Sequence, residues 1–204
     1  FPEVLKRERD IMGLLKEIAK RKGFVVIGGY AVNAFTQPRF SLDLDIVVDK
    51  KGSAFFRKFL EGRGFLKVAE FRELPYKGTF ERFEKKLETG SISADLLIGE
   101  VASRQTGASY SYEYLKKYSR VRNITGRSER VRARVADAEL LIALKINSAR
   151  NIDIRDVFML AGTEVQLKVI KKHLKKMNKK QLKENLKKIK KAINEKQFRD
   201  SLQG

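Results

Sequence analysis

The chain has no cysteine, no tryptophan, three prolines and a single histidine in 204 residues. Without thiols it has no disulfide framework, no thiolate metal site and no cysteine nucleophile. One histidine, His173 in a lysine-rich stretch, leaves serine triads and histidine-based zinc sites without their parts. Long apolar runs are missing too: Phe24–Ile27 and Leu140–Leu144 fall far below the roughly 20 residues that a membrane helix needs. The visible N-terminus shows no apolar signal-peptide region. These absences lead us to expect a cytoplasmic protein without a membrane span. Its chemistry must come from carboxylates, lysines and hydroxyls. Acids are the scarcer charge, 25 Asp+Glu against 45 Lys+Arg, for a formal +20.

What is present argues for a folded chain. Hydrophobic residues make up 42% and aromatics 9%, too apolar and too patterned for a basic disordered tail. Val4, Leu5, Ile11, Leu14, Leu15 and Ile18 recur at helical spacing, so residues 3–22 read as an amphipathic helix closed by Gly23. A buried strand over Phe24–Ile27 follows, then a Gly28-Gly29 turn into a second helix over 30–35, ahead of Pro38. Residues 42–48, Leu-Asp-Leu-Asp-Ile-Val-Val, alternate at the strand period and put Asp43 and Asp45 on one face. Ser53 is placed to cap a helix over 54–62 that buries Phe55, Phe56, Phe59 and Leu60. Strands are expected over 65–71, 79–86 and 91–98, punctuated by Pro75, Gly78 and Gly90, with Ser93 and Asp95 sharing a face of the last. A loop rich in Ser, Tyr and Gly then leads to a strand pair over 118–124 and 130–135. Asp137 and Asp153 are placed to cap two further helices, and two lysine-filled amphipathic helices end the chain.

Two aspartates at i and i+2 of an apolar strand repel one another unless something neutralises them. A divalent cation does so. If the strand carrying Asp95 is a neighbour, Asp43, Asp45 and Asp95 form an oxygen cluster suited to Mg²⁺ with substrate phosphates, half of a two-metal phosphoryl-transfer site. Gly28 and Gly29 allow backbone N–H groups to approach a polyphosphate. Arg39 and Ser41 stand ready for the same phosphates.

Ile27-Gly28-Gly29-Tyr30-Ala31 followed by Arg39-Phe40-Ser41-Leu42-Asp43-Leu44-Asp45 resembles the GG-x-A … R-x-S/T-x-D-x-D signature of the DNA polymerase beta-like nucleotidyltransferase superfamily. Asp95 in Ala94-Asp95-Leu96-Leu97 is similar to its third metal-binding carboxylate. The resemblance implies an α/β (α+β) fold, a mixed twisted sheet forming a nucleotidyltransferase core over 1–135, then a helical C-terminal region over 136–204 with lysine-rich helices from 163. It implies that Gly28, Gly29 and Ser41 hold an NTP, that Asp43, Asp45 and Asp95 bind two Mg²⁺ (or Mn²⁺) ions, and that Asp95 helps activate an acceptor hydroxyl. Leu140-Leu141-Ile142-Ala143-Leu144-Lys145 and Asp153-Ile154-Arg155-Asp156 resemble a segment of the AbiEii-like group, which includes toxins of toxin–antitoxin systems, some acting on tRNA. By that resemblance Lys145 lies near the nucleotide phosphates with Asp153 or Asp156 in support, and an antitoxin is an implied partner. Ile152 departs from the group's usual basic residue.

Plainer readings stand beside these. Asp43 and Asp45 fit a solvated strand face, Lys145 a side chain reaching for water, and Asp153 and Asp156 a helix cap and first-turn charges. Tyr110, Tyr112, Tyr114 and Tyr118 fit packing beneath a loop better than base stacking, and His173 a solvated helix position. Residues 164–204 hold 14 Lys+Arg against 4 Asp+Glu, half of the net charge in a fifth of the chain. Lys171, Lys172, Lys175, Lys176, Lys179 and Lys180 are the candidate RNA contacts there; an anionic membrane surface, an acidic protein partner, or lysine enrichment of the hyperthermophile kind explain the same charge. The function expected is Mg²⁺-dependent transfer of a nucleoside monophosphate to a hydroxyl, with an RNA or tRNA 3′ end as acceptor. The alternatives are a degenerate RNA-binding module of the same fold and a small-molecule nucleotidyltransferase.

Overall fold

The computed structural model describes residues 2–72, 78–88 and 90–195. Pro75, named above as a break between strands, and the last nine residues of the basic tail lie outside them. The chain divides into two compact units, one formed by 1–102 with 110–137, the other by 103–109 with 138–204.

The first unit is built on a seven-stranded sheet. Helix α1 (Pro2–Ile18) precedes β1 (Phe24–Ile27), α2 (Gly28–Val32), β2 (Asp43–Val48) and α3 (Ser53–Glu61). Then come β3 (Leu66–Arg72), β4 (Thr79–Leu87), β5 (Gly90–Ile98), β6 (Glu100–Ala102), β7 (Ser109–Ser111), α4 (Tyr112–Lys117), β8 (Ser119–Thr125) and β9 (Arg130–Ala136). The strand order is β3-β4-β5-β2-β1-β9-β8. β2 runs parallel to β5 and β1 parallel to β9, while the other pairings are antiparallel. The mixed sheet expected from the sequence is the one observed, and the C-terminal helices are present.

Alternation fixes what each face does. Leu44, Ile46 and Val48 of β2, Ala94, Leu96 and Ile98 of β5, and Val131, Ala133 and Val135 of β9 are buried on one face. Against that core lie Ile11, Leu15 and Ile18 of α1 and Phe56 and Leu60 of α3, all at or below 1% exposure. Glu81 is buried on the same face and is held bidentately by Arg57 of α3 at 2.7 and 2.9 Å. The opposite face carries Asp43, Asp45, Ser93 and Asp95.

Three local expectations need correction. Ser53 does not cap α3 from outside: Gly52 is the N-cap residue, and the Ser53 hydroxyl donates to the Lys50 carbonyl at 2.8 Å. Phe55 is not on the buried side but 42% exposed, with the Arg21 guanidinium 5.1 Å above its ring. The Ser/Tyr/Gly loop contains α4, whose cap is the Ser111 side chain accepting from Tyr114 N at 3.2 Å. Serine at the N-cap with glutamate in the first turn was the signal for it. Tyr110 and Tyr112 are buried, the packing role favoured above.

The second unit holds α5 (Ala138–Ser148), α6 (Asn151–Ala161), α7 (Leu167–Leu174) and α8 (Lys179–Asn194). Leu140, Leu141, Ala143 and Ile146 bury α5. Asn185 of α8 donates to the Ile146 and Asn147 carbonyls at 2.8 and 3.2 Å, satisfying acceptors that the end of α5 leaves open. His173 is fully buried rather than solvated. It lies three residues after Ile170 on the buried face of α7, beside Leu174 and ahead of the buried Met177 just past the helix end, and that apolar face outweighs the lysines flanking it.

Candidate active site

The Gly28-Gly29 turn owes its shape to missing side chains. Gly28 has φ +69°, and a Cβ there would stand 1.8 Å from Asp45 Oδ2. A Cβ on Gly29 would meet Arg39 Nη2 and Ser41 Oγ, each at 2.9 Å. Backbone amides, the Asp45 carboxylate, the Arg39 guanidinium and the Ser41 hydroxyl therefore crowd one end of β1 and β2, as the strand–GG–helix reading requires. α2 is a single turn of five residues, so the backbone's close approach matters more than a helix dipole.

The segment leading to β2 is fixed by two residues the sequence reading passed over. Asn33, 2% exposed, clasps the Arg39 backbone from both sides: its Nδ2 donates to Arg39 O at 2.8 Å, and Arg39 N donates to its Oδ1 at 3.1 Å. Tyr30, fully buried, donates its hydroxyl to Ser41 O at 2.9 Å. Burial first, then the charge of Glu8, raises the Tyr30 pKa, which keeps that donor protonated. Tyr30 lies on α2 and Asn33 is its C-cap residue, four positions after Gly29, but side chain to backbone clasps leave no pattern in sequence.

The carboxylates share the sheet face on neighbouring parallel strands, with Asp45 in register with Asp95 and Asp43 with Ser93. Ser93 Oγ donates to Asp43 Oδ1. Asp95 is 3% exposed and is taken by Arg82 of β4, Nε to Oδ1 at 2.8 Å and Nη2 to Oδ2 at 2.7 Å. Burial raises the Asp95 pKa, and the Arg82 hydrogen bonds and charge oppose that rise. Among the described residues no three carboxylate or histidine side chains converge as a metal-binding group. The expected trio is thus adjacent in the sheet but not gathered, because Arg82 satisfies the third member. Arg82 faces Asp95 across an antiparallel register, which the sequence alone did not specify. In chemical kind the donor set fits a hard divalent cation: Asp43 and Asp45 are partly exposed side by side, and Asp95 would join them once Arg82, 38% exposed at its side chain, turns outward.

Lys145, Asp153 and Asp156 come together in the second unit. Lys145 Nζ lies 2.9 Å from Asp153 Oδ1 and 2.9 Å from Asp156 Oδ2, with all three buried. Asp153 is residue N3 of α6 and accepts from Arg150 N at 3.2 Å and Arg150 Nε at 2.7 Å. Burial alone would raise its pKa, but Arg150 and Lys145 together bring it down to about 2. The capping reading of Asp153 is present, from N3 rather than from the N-cap, and Lys145 does not reach for solvent. Lys171, Lys172, Lys175, Lys176, Lys179 and Lys180 are all exposed.

No protein-family model matches the chain, and no curated protein matches it. Among solved structures, JHP933 from Helicobacter pylori aligns with 81% of this chain and 70% of its own at 16% identity and a TM-score of 0.50. The lincosamide antibiotic adenylyltransferase LnuA, in a lincomycin-bound structure, aligns over 77% of this chain and 96% of its own, with 18% identity and a TM-score of 0.48. The antibiotic-resistance factor ANT(2'')-Ia aligns over 85% and 86%, with 13% identity and a TM-score of 0.49. The likeness to JHP933 shows a shared fold. The activities named for the other two remain theirs. No helix among the described residues is long and apolar enough to cross a membrane.

Proposed function

We propose that this protein is a nucleotidyltransferase moving an NMP from an NTP to a hydroxyl acceptor, an RNA or tRNA 3′ end, with release of pyrophosphate. One observation carries the reading: the glycine turn, Arg39, Ser41 and Asp45 meet at one end of the sheet, so closely that a Cβ at 28 would displace Asp45 and one at 29 would press on Arg39 and Ser41. Backbone amides of that turn, with Arg39 and Ser41, bind the triphosphate. Asp43 and Asp45, joined by Asp95, hold Mg²⁺ or Mn²⁺. When bound, such ions polarise the α-phosphate and lower the acceptor hydroxyl's pKa. Asp95 accepts the acceptor's proton, and Arg82 must release it first. The Lys145, Asp153 and Asp156 segment supports kinship with AbiEii-like toxins, hence a cytoplasmic role and an antitoxin partner. The exposed lysines of α7 and α8 add RNA contacts.

A second observation favours a small-molecule acceptor. Phe71, Phe80 and Leu97 line a cavity of about 230 Å³ with Glu100, and Leu97 is two residues from Asp95 along β5, enough for one ring system. The test is incubation of the full chain with each labelled NTP, Mg²⁺ and total tRNA, and in parallel with small hydroxylated antibiotics. Label on tRNA that falls to background in Asp45→Asn supports the first reading; label on the small acceptors alone supports the second. No transfer to either, or transfer indifferent to Asp45→Asn, overturns the enzyme.

A further inference from the structure

Half of the +20 lies outside the lysine tail, and the first unit shows where part of it gathers. A cavity of about 400 Å³ is lined by Arg21 and Lys22 before β1, Lys116 of α4, and Arg132 and Arg134 of β9, with Asp49 the one acid among its lining residues. Elsewhere in this unit Arg57 pairs with Glu81, Arg63 with Glu17, Arg82 with Asp95 and Arg120 with Asp137. Among the described residues none of the cavity's five cations has a carboxylate that close. Arg134 donates to the Ser119 carbonyl and hydroxyl, both at 3.3 Å, Arg21 lies over Phe55, and Lys116 approaches Glu113 only to 3.9 Å. Lys22 and Arg132 are exposed and make no ion pair or side-chain hydrogen bond among the described residues. Five like charges around one hollow, with one carboxylate, repel one another unless an anion enters.

Their arrangement says what kind of anion. Val26 pairs with Val135 across β1 and β9, and Val26 lies on the core face, so Arg130, Arg132 and Arg134 alternate onto the face that carries Asp43 and Asp45. Two residues of strand advance about 6.6 Å, close to the step between successive phosphates of an extended nucleic-acid strand. Arg130 continues the row beyond the cavity, which suits a polymer and not a compact anion. Val121, 47% exposed, supplies an apolar floor within it. Four residues of β1 separate this end of the sheet from Gly28, about 13 Å of strand, a reach of a few nucleotides.

We propose that Arg21, Lys22, Lys116, Arg132 and Arg134 form a cradle for the phosphodiester backbone of single-stranded RNA, separate from the lysine tail. It deepens the reading of an RNA acceptor and rests on it for the link to catalysis, though not for binding. The test is fluorescence anisotropy of a labelled single-stranded RNA with the full chain, titrated across salt, for the wild type and for a triple variant Lys22→Gln, Lys116→Gln, Arg132→Gln. All three side chains are exposed, and Arg134 is spared for its hydrogen bonds; Lys22→Glu alone is the second variant. Each lost phosphate contact on a single strand lowers the salt slope by about 0.7. The triple variant should lose about 2 of slope and bind about tenfold or more weakly at physiological salt, and Lys22→Glu should weaken binding in the same direction. Unchanged affinity and slope in both variants overturns the cradle, as does equal loss of binding to polyglutamate of matched charge. Asp45→Asn should bind RNA normally. RNA binding kept by the triple variant while the wild type transfers label sinks the cradle and spares the enzyme; binding lost while no form transfers label does the reverse.

Discussion

A single lysine shows how burial settles an ambiguous side chain. Lys145 stands between two buried carboxylates at 2.9 Å each, where the cost of desolvating each charge is offset by the others. Removing the cation leaves Asp153 and Asp156 buried without their shared partner. Lys145→Met should therefore cost about 3–5 kcal/mol, read as a lowered urea midpoint. A midpoint unchanged within error would mean that the triad contributes nothing to folding. The sequence offered Lys145 as either a reacting group or a surface cation; packing adds a structural role that neither reading contained. Asp95 teaches the same point, since its spacing named the residue but not the guanidinium that holds it.

At the level of elements, the β1–α2 turn is the place where a methyl group has the largest consequence. Gly28 combines φ +69° with an Asp45 oxygen where a Cβ would be, so Gly28→Ala must either displace Asp45 or bend the turn. The left-handed conformation alone costs about 1–2 kcal/mol. Gly13 in α1 is the internal contrast, with nothing within 4 Å of an added Cβ, and its replacement by alanine should stabilise the helix by up to about 1 kcal/mol. Gly28→Ala should retain its circular dichroism spectrum yet transfer label at a few per cent of the wild-type rate; full activity would separate the turn from the reaction. Strand, turn and helix were readable here because glycine and alternating apolar residues have local causes. α4 was not, because a six-residue helix carries too little periodicity to stand out from a tyrosine-rich loop.

For the molecule as a whole, the acid limb of the stability curve follows from buried titrating groups. Burial first, then Lys172 and Lys176, bring the His173 pKa from 6.5 down to about 4, with Glu139 opposing them. Between those values the unfolded chain binds a proton that the folded chain refuses, so stability falls as pH drops from about 6.5 to 4, by roughly 3 kcal/mol at most. Asp153, at about 2 folded against 3.8 unfolded, takes its share below that window, since its stabilisation is lost as pH falls from about 4 towards 2. Urea midpoints measured from pH 7 to 4 should decline, and His173→Leu should flatten the decline; an equal slope in that variant would place the effect elsewhere. The sequence by itself determined the order of the longer helices and strands, the alternation that gives the central strands one core face, and the positions of the glycines and carboxylates, because these follow from local geometry and from short periodicities. Only the tertiary structure decided that Arg82 holds Asp95, that Asn33 and Tyr30 set the Arg39–Ser41 segment, that His173 is dry, and that scattered cations line one hollow. Each of those depends on which strand lies beside which and on what packs against a given helix face, contacts between residues far apart in the chain that no local pattern records.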